Sequence, residues 1–420
     1  MISVHEAIEI ILDEINDTGC ENVGILDSYG RVLTEDIYAP WDLPPWDNSA
    51  MDGFAVRADD LLRTSRESHT KKLKVIEDLP AGYIAKKEVR AGEAIRIMTG
   101  APLPKGSDTV VMVEHTESTE SDVTILKEIK KGQNVRPKGE DIKKGELILK
   151  KGVTIRPSEV GMLVSMGKAT VSVYCKPKVA VMSTGDELIE VDKITTDGSV
   201  SKLPEGKIVD SNSYTVFSQV LAAGALPIHL GIAKDTKEAL KSKIEKAAMS
   251  ADVIISTGGV SVGDYDFVKD VLDEIGTVMK FWKVAIKPGK PLAFGMIQGK
   301  PYFGLPGNPV SSMVAFEEFV RPALLKMMGK SDIFKITVDA RLTEEIRKKS
   351  GRTNFIQSCL KEENGDLLVT PIKIRGSAVM SSMVRANSLI VLPKESSGAD
   401  AGETVKVQSL DAEGQRKPGF

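Results

Sequence analysis

Apolar positions recur with two different periods along the chain, and the changes of period divide it. Residues 3–16 set Ile8, Ile11, Leu12 and Ile15 on one helical face, and Ser3 followed by Glu6 forms the box that starts a helix. Between 54 and 150 the apolar runs are short and broken by Gly and Pro. Strands are predicted there at 74–77, 94–98, 109–114, 123–129 and 146–149, an all-β module. Residues 153–175 predict a helix after Pro157 and a strand at 169–174, a piece too small to stand alone. It is expected to pack with the first helix, which makes the β module an insertion within one discontinuous domain. The bend at 40–49, with two tryptophans among prolines, reads as a buried hinge.

From residue 178 strand and helix patterns alternate, which argues for a parallel sheet covered on both faces. Strands are predicted at 178–182, 227–230, 253–255, 278–286 and 301–304, with helices at 213–223, 236–249, after Asp264 and at 309–328. Strands return at 335–339, 355–360, 367–370, 389–392 and 404–408, a small β-barrel or sandwich. The polar tail 411–420 reads as disordered. The expected architecture is multidomain, α/β plus β: a central doubly wound parallel sheet, an inserted β module and a C-terminal β-barrel. The expected divisions are 1–45 with 147–177, then 46–146, 178–328 and 329–410.

The stretch from Ala251 to Asp266 reads strand, tight glycine turn, helix. Gly258, Gly259 and Gly263 let backbone N–H groups approach a ligand, and a helix N-terminus favours negative charge, so the turn predicts a phosphate or other oxyanion site. It is not a G-x-G-x-x-G fingerprint, and no G-x-x-x-x-G-K-[ST] occurs. Ser261 sits in a G-x-S-x-G match, but His5, His69, His115 and His229 all precede it, which rejects a nucleophile elbow. Four polar loops fall at carboxyl ends of predicted strands, where open α/β sheets bind ligands: 184–187, 258–266, 283–290 and 305–309. Asp186, Glu187, Asp264 and Asp266 offer hard oxygens suited to Mg²⁺, although each alone fits a helix cap or a surface ion pair equally well. Lys283 and Lys287 are point charges able to hold an oxyanion. The loops Arg347–Arg352 and Arg375–Ser377 are cationic, either a solvated edge or a cover for an anionic ligand.

Composition narrows the classes. Lys plus Arg number 56 against 59 Asp plus Glu, so no global field points to nucleic acid or membrane, and 5% aromatic content argues against base stacking. Cys20, Cys175 and Cys359 are odd in number and far apart, which fits neither a disulfide framework nor a C-x-x-C metal site. With no leader-like start and no apolar run of membrane length, the cytoplasm is the expected compartment.

Seven segments together carry a resemblance: Pro44-Pro-Trp-Asp-Asn-Ser-Ala-Met-Asp52-Gly, Thr99-Gly-Ala-Pro, Gly139-Glu-Asp141, Ser183-Thr-Gly-Asp-Glu187, Gly258-Gly-Val-Ser-Val-Gly-Asp, Ile286-Lys-Pro-Gly-Lys-Pro and Gly304-Leu-Pro-Gly-Asn-Pro309. They resemble the molybdopterin molybdenumtransferase (MoeA) family, which includes the gephyrin E domain. Asp264 stands where the family often has Glu, a change that keeps the charge. The resemblance implies an elongated homodimer of four-domain subunits, with the site between the α/β domain of one subunit and the C-terminal β domain of the other. It implies insertion of molybdenum from molybdate into adenylylated molybdopterin, releasing AMP and molybdenum cofactor.

The catalytic positions it implies are Asp52, Thr99, Asp141, Glu187, Asp235, Asp266, Lys283, Lys287 and Arg352. Substrate would be bound by Gly258, Gly259, Ser261, Gly263, Pro306, Pro309 and Ser377, and Mg²⁺ by Glu187 and Asp266. Lys283, Lys287 and Arg352 would clamp the oxyanion. Expected partners are the two substrates, a second copy of the chain, and molybdopterin adenylyltransferase or other cofactor-biosynthesis proteins, with neither nucleic acid nor membrane. Competing readings are a non-catalytic dimeric scaffold of gephyrin E type, tungstate-specific insertion, and adenylyl transfer or pyrophosphate hydrolysis by the α/β domain alone.

Overall fold

Val253–Thr257 is buried at every position, as a strand covered by helices on both faces has to be. The computed structural model describes residues 1–61, 70–196, 199–200, 202–259 and 267–410. They form two compact units, one of Met1–Thr34, Gly152–Ile155 and Val171–Phe420, the other of Glu35–Lys151 and Arg156–Thr170. The tail 411–420 lies outside the described residues.

In the first unit, Val253–Thr257 belongs to a six-stranded sheet of order Leu226–Ala233, Lys178–Thr184, Val253–Thr257, Lys300–Leu305, Pro291–Ile297, Val278–Lys283. The first four strands are parallel. Pro291–Ile297 runs antiparallel to both its neighbours, so the doubly wound parallel sheet carries antiparallel pairings at one edge. Its strand Pro291–Ile297 is missing from the sequence reading because Pro291 and Gly295 look like breaks. Pro291 occupies the first strand position, which tolerates proline. Gln298 and Gly299, both at positive φ, then turn the chain straight back. Alternation along the strands feeds two cores: Val179, Val181, Val253 and Ile255 share one with Val216, Val220 and Phe316. Ala180, Met182 and Ile254 share the other with Leu240, Ile244 and Val271.

The helix Val4–Glu14 opens on the predicted box: Glu6 N donates to Ser3 Oγ at 3.1 Å and Ser3 N to Glu6 Oε2 at 2.7 Å. Its buried Ala7 and Ile11 enter the core that holds Phe316, Phe319 and Ala323. The expected packing against residues 153–175 is therefore corrected in part. The helix Pro157–Ser165 belongs to the second unit, while the strand Thr170–Tyr174 does pair with Cys20–Gly24 near the N-terminus. An apolar helical stripe finds more surface on the aromatic helices than a nine-residue helix offers.

The segment predicted as one helix at 309–328 is Pro309–Ala315, a π-helical turn Phe316–Val320, and Arg321–Met327. Pro322 has no N–H for the carbonyl four residues back, and the wider turn accommodates its ring. Beyond it, Thr337–Leu342, Thr353–Glu363, Asp366–Pro371, Ser388–Leu392 and Thr404–Ser409 close into a five-stranded barrel, because Thr353–Glu363 pairs with both Asp366–Pro371 and Ser388–Leu392. Leu342, Ile356, Val369, Ile390 and Val407 make its core. The strand expected at 278–286 ends at Lys283, and Ile286–Lys287 joins the barrel sheet instead, parallel to Thr353 and Asn354.

The second unit is built on a six-stranded sheet of order Thr109–Met112, Gly53–Val56, Glu93–Ile97, Lys71–Leu79, Asp122–Ile125, Thr116–Ser118. Gly53–Val56 is wholly buried; Asp52-Gly53 reads as a turn and hides this strand in the sequence. The buried hinge is also corrected. Trp41 and Trp46 are 42% and 51% exposed, and Trp41 is backed at its ring edge by Gly167.

Candidate active site

The first half of the site is the carboxyl edge of the parallel strands. Lys178–Thr184 and Val253–Thr257 run side by side and release their chains into the 184–187 loop and the glycine turn. Gly259 sits at φ +65°, and a Cβ there would lie 2.5 Å from Val268 Cγ2 and 2.8 Å from Thr184 Oγ1. Only glycine lets the two turns close on each other. Gly258 N donates to Leu305 O at 3.1 Å, which brings in the third loop, 305–309. Asp186 and Asp235 lock a fourth, since Asp186 N donates to Asp235 Oδ2 at 3.1 Å and Asp235 N to Asp186 Oδ1 at 3.2 Å. Each carboxylate keeps an oxygen outside this exchange. Glu187 is exposed beside them, with its carboxylate folded over Gly185. These are hard oxygen donors, a set that fits Mg²⁺.

The second half is a cavity of about 450 Å³ where the α/β sheet meets the barrel. The parallel pairing of Ile286–Lys287 with Thr353 and Asn354 sets Lys287 opposite Asn354, two residues after Arg352. Val310 N donates to Ser377 O at 3.1 Å, which fixes the Arg375–Ser377 loop on the helix that begins at Pro309. Lys287, Lys348, Arg352, Arg375, Asn308 and Ser377 all line the cavity. Lys348 is pushed below the usual lysine range by burial and by the charges of Arg352 and Lys287, against the opposing pull of Glu395. Arg347 also lines it, but is paired with Asp400 at 2.6 Å and Glu345 at 2.8 Å. Asn354 lines it too, and its Oδ1 is buried with no hydrogen-bond partner. Concentrated positive charge with few carboxylates is the field an oxyanion requires.

Of the residues expected to form the site, the structure gathers Glu187, Asp235, Gly258 and Gly259 at the sheet edge, with Pro306 in the adjoining loop. It gathers Lys287, Arg352 and Ser377 in the cavity. Lys283 is exposed at the end of Val278–Lys283 and does not line the cavity. Ser261, Gly263, Asp264 and Asp266 lie outside the described residues. Asp52, Thr99 and Asp141 belong to the second unit. There Thr99 N and Oγ1 both donate to Asp52 Oδ1 at 2.7 Å, which holds Asp52 below the usual carboxylate range. Asp141 caps a different turn, its N–H donating to Leu43 O at 3.0 Å.

Two features escape the sequence reading. Asn354 carries no motif; only its position next to Arg352 points to it. A hydrogen-bonded chain also runs behind the glycine turn. Thr257 Oγ1 meets Ser183 Oγ at 2.8 Å, Ser183 donates to Asp210 Oδ1 at 2.9 Å and Ser213 to Asp210 Oδ2 at 2.6 Å, and Ser213 Oγ lies 2.9 Å from His229 Nε2. Asp210, His229 and Glu190 approach within 4.8 Å of one another. Their distance apart in sequence left no signal.

The chain matches three family descriptions in succession. Residues 180–326 match a probable molybdopterin binding domain, so the α/β sheet with its glycine-lined edge is of the molybdopterin-binding class. Residues 2–167 match the MoeA N-terminal region (domain I and II), and 339–410 the MoeA C-terminal region (domain IV). The molybdopterin molybdenumtransferase of Haemophilus influenzae is 38% identical over 98% of this chain and 99% of its own length. That of Bacillus subtilis is 35% identical over 97% and 93%. The crystal structure of the molybdopterin biosynthesis MoeA protein from Pyrococcus horikoshii OT3 superposes with a TM-score of 0.81 at 36% identity, covering 98% of this chain and 100% of that one. The chain belongs to the molybdopterin molybdenumtransferase (MoeA) family, a transferase family of molybdenum cofactor biosynthesis. No helix among the described residues is long and apolar enough to cross a membrane.

Proposed function

We propose that this chain inserts molybdenum from molybdate into adenylylated molybdopterin, releasing AMP and molybdenum cofactor. The observation that carries the reading is the cavity that collects Lys287, Lys348 and Arg352. Molybdate is a dianion and the second substrate carries a phosphoanhydride, so they repel unless fixed cations stand between them. Lys287 and Arg352 hold the oxyanion, Ser377 orients it, and the backbone amide at Gly259 contributes to a phosphate cradle at the sheet edge, the Gly258 amide being taken by Leu305 O. A Mg²⁺ held by Glu187, with Asp266, would neutralise charge on the phosphoanhydride as AMP departs.

The same reading makes the active form a homodimer in the cytoplasm, supplied by an adenylyltransferase that makes the activated pterin. Asp52, Thr99, Asp141, Asp235 and Lys283 are further catalytic positions in this reading. The concentrated positive charge favours catalysis over the scaffold alternative, since a clustering surface has no need of an oxyanion pocket. The test is AMP release from adenylylated molybdopterin with molybdate. If Lys287→Ala and Asp266→Ala proteins turn over at the unmodified rate, the assignment of those side chains is wrong.

A further inference from the structure

We infer that Glu318 and Gln408 form a neutral acid–amide pair that holds the C-terminal barrel in register with the α/β body, making Glu318 a positioning residue for the cavity between them. Glu318 lies in the π-helical turn Phe316–Val320 and is 8% exposed. Gln408 Nε2 donates to its Oε2 at 3.4 Å, while Gln408 Oε1 is buried with no partner. A carboxylate has nothing to donate to that oxygen. A protonated carboxyl does, so a neutral Glu318 can supply the donor that Gln408 Oε1 lacks.

The neighbours agree. Glu317 on the same turn accepts from Gln219 Nε2 at 2.9 Å and is the ion-pair neighbour of Lys335 Nζ at 3.1 Å and Arg321 Nε at 4.0 Å, while those two cations donate to Leu410 O and Ile333 O. The helix Val4–Glu14 presents apolar Ala7 and Ile11 to this segment. Glu318 is left to burial, which with the Glu317 charge pushes it up to about 7 against the weaker pulls of Gln408, Lys335 and Arg321.

Gln408 connects directly to the cavity wall. It stands opposite Leu389 on the neighbouring strand, Leu389 stands opposite Gln357 on the next, and Gln357 lines the cavity. Losing the proton leaves Glu318 with no donor for Gln408 Oε1 at the head of this row. An unfolded glutamate releases its proton near 4.5, whereas Glu318 keeps it to about 7. Stability therefore falls as pH rises between those values and levels off above them.

The pair is tested on the full chain. With ¹³C-labelled glutamate, one carboxyl signal should titrate near neutrality and vanish in Glu318→Gln, whose amide donates at every pH. Melting temperature should fall with rising pH in the unmodified protein, with that component of the slope missing from Glu318→Gln. Molybdate affinity, by equilibrium dialysis between pH 6 and 8, should drop roughly fivefold or more in the unmodified protein and stay flat in Glu318→Gln. The inference is overturned if every glutamate is charged at pH 6, or if Glu318→Gln keeps the unmodified pH profiles. The dialysis arm rests on the oxyanion reading of the cavity. Should molybdate bind neither protein, that reading fails, while the carboxyl titration still decides the pair.

Discussion

At the carboxyl edge of the sheet, Asp186 and Asp235 are tied to each other and Glu187 folds over Gly185; the cavity at the barrel is lined by Lys287, Lys348 and Arg352. Each cluster is a concentration of like charge that repels itself until a counter-charge arrives. The edge suits a cation and a phosphate cradled by backbone; the cavity suits a free oxyanion. On the proposed reading a transferase with two anionic substrates needs both, and keeping them apart stops the carboxylates from neutralising the cavity cations.

The largest effect that separates the two is loss of a cavity cation. Arg352→Ala or Lys287→Ala should lower AMP release by roughly 10²–10³-fold, the usual result of deleting one preorganised charge-stabilising group, and should weaken molybdate binding in equilibrium dialysis. Dialysis with Glu187→Gln should give unmodified molybdate affinity. If Glu187→Gln loses molybdate as Arg352→Ala does, the two regions are a single site and the comparison fails.

Next comes the turn on which the edge is built. Gly259→Ala places a methyl group into Val268 and Thr184 at a positive φ, which should lower stability by about 1–3 kcal/mol in thermal denaturation. It should raise the Michaelis constant for the pterin substrate more than that for molybdate. An unchanged melting temperature would show that the turn relaxes without consequence.

This contrast also explains what the sequence disclosed. The edge is local: Gly258, Gly259 and the strand before them are contiguous, and glycine spacing and β-branched runs announce them. The cavity is assembled from segments around 287, 308, 347 and 376, each an ordinary cationic or Pro-rich loop until Ile286–Lys287 leaves one sheet for the other. No periodicity encodes that exchange. Gly53–Val56 and Pro291–Ile297 hid for a related reason, because Gly and Pro inside them read as breaks while their tertiary partners made them strands. The tryptophans at 41 and 46 misled in the other direction, since residue type alone does not say what covers a ring.

A smaller effect sharpens the division from the acidic side. Glu187→Gln removes a charge from an exposed carboxylate without disturbing the Asp186–Asp235 exchange. The Mg²⁺ concentration for half-maximal AMP release should rise roughly tenfold, in line with changes to ligand shells elsewhere. The same titration on Lys287→Ala should show the unmodified Mg²⁺ midpoint at a lower plateau. A shifted midpoint there would mean that cation and oxyanion share ligands.

The smallest expected effect comes from Lys348, and its sign follows from the field around it. Burial and the adjacent Arg352 and Lys287 hold this ammonium below the usual lysine range, so in the free protein it loses its charge at lower pH than an ordinary lysine. A bound dianion favours the charged form, hence binding above that point draws in a proton, and molybdate affinity declines as pH rises through the depressed value. Lys348 is half-buried, so the decline should be about two- to fivefold, the range of a pair worth up to ~1 kcal/mol. Calorimetric titrations in two buffers of different ionisation enthalpy would detect the proton taken up. Measured above pH 8 in the Glu318→Gln background, which removes the proton assigned to Glu318, Lys348→Arg, permanently charged, should show neither the uptake nor the decline. If it shows both, the proton belongs to another group lining the cavity.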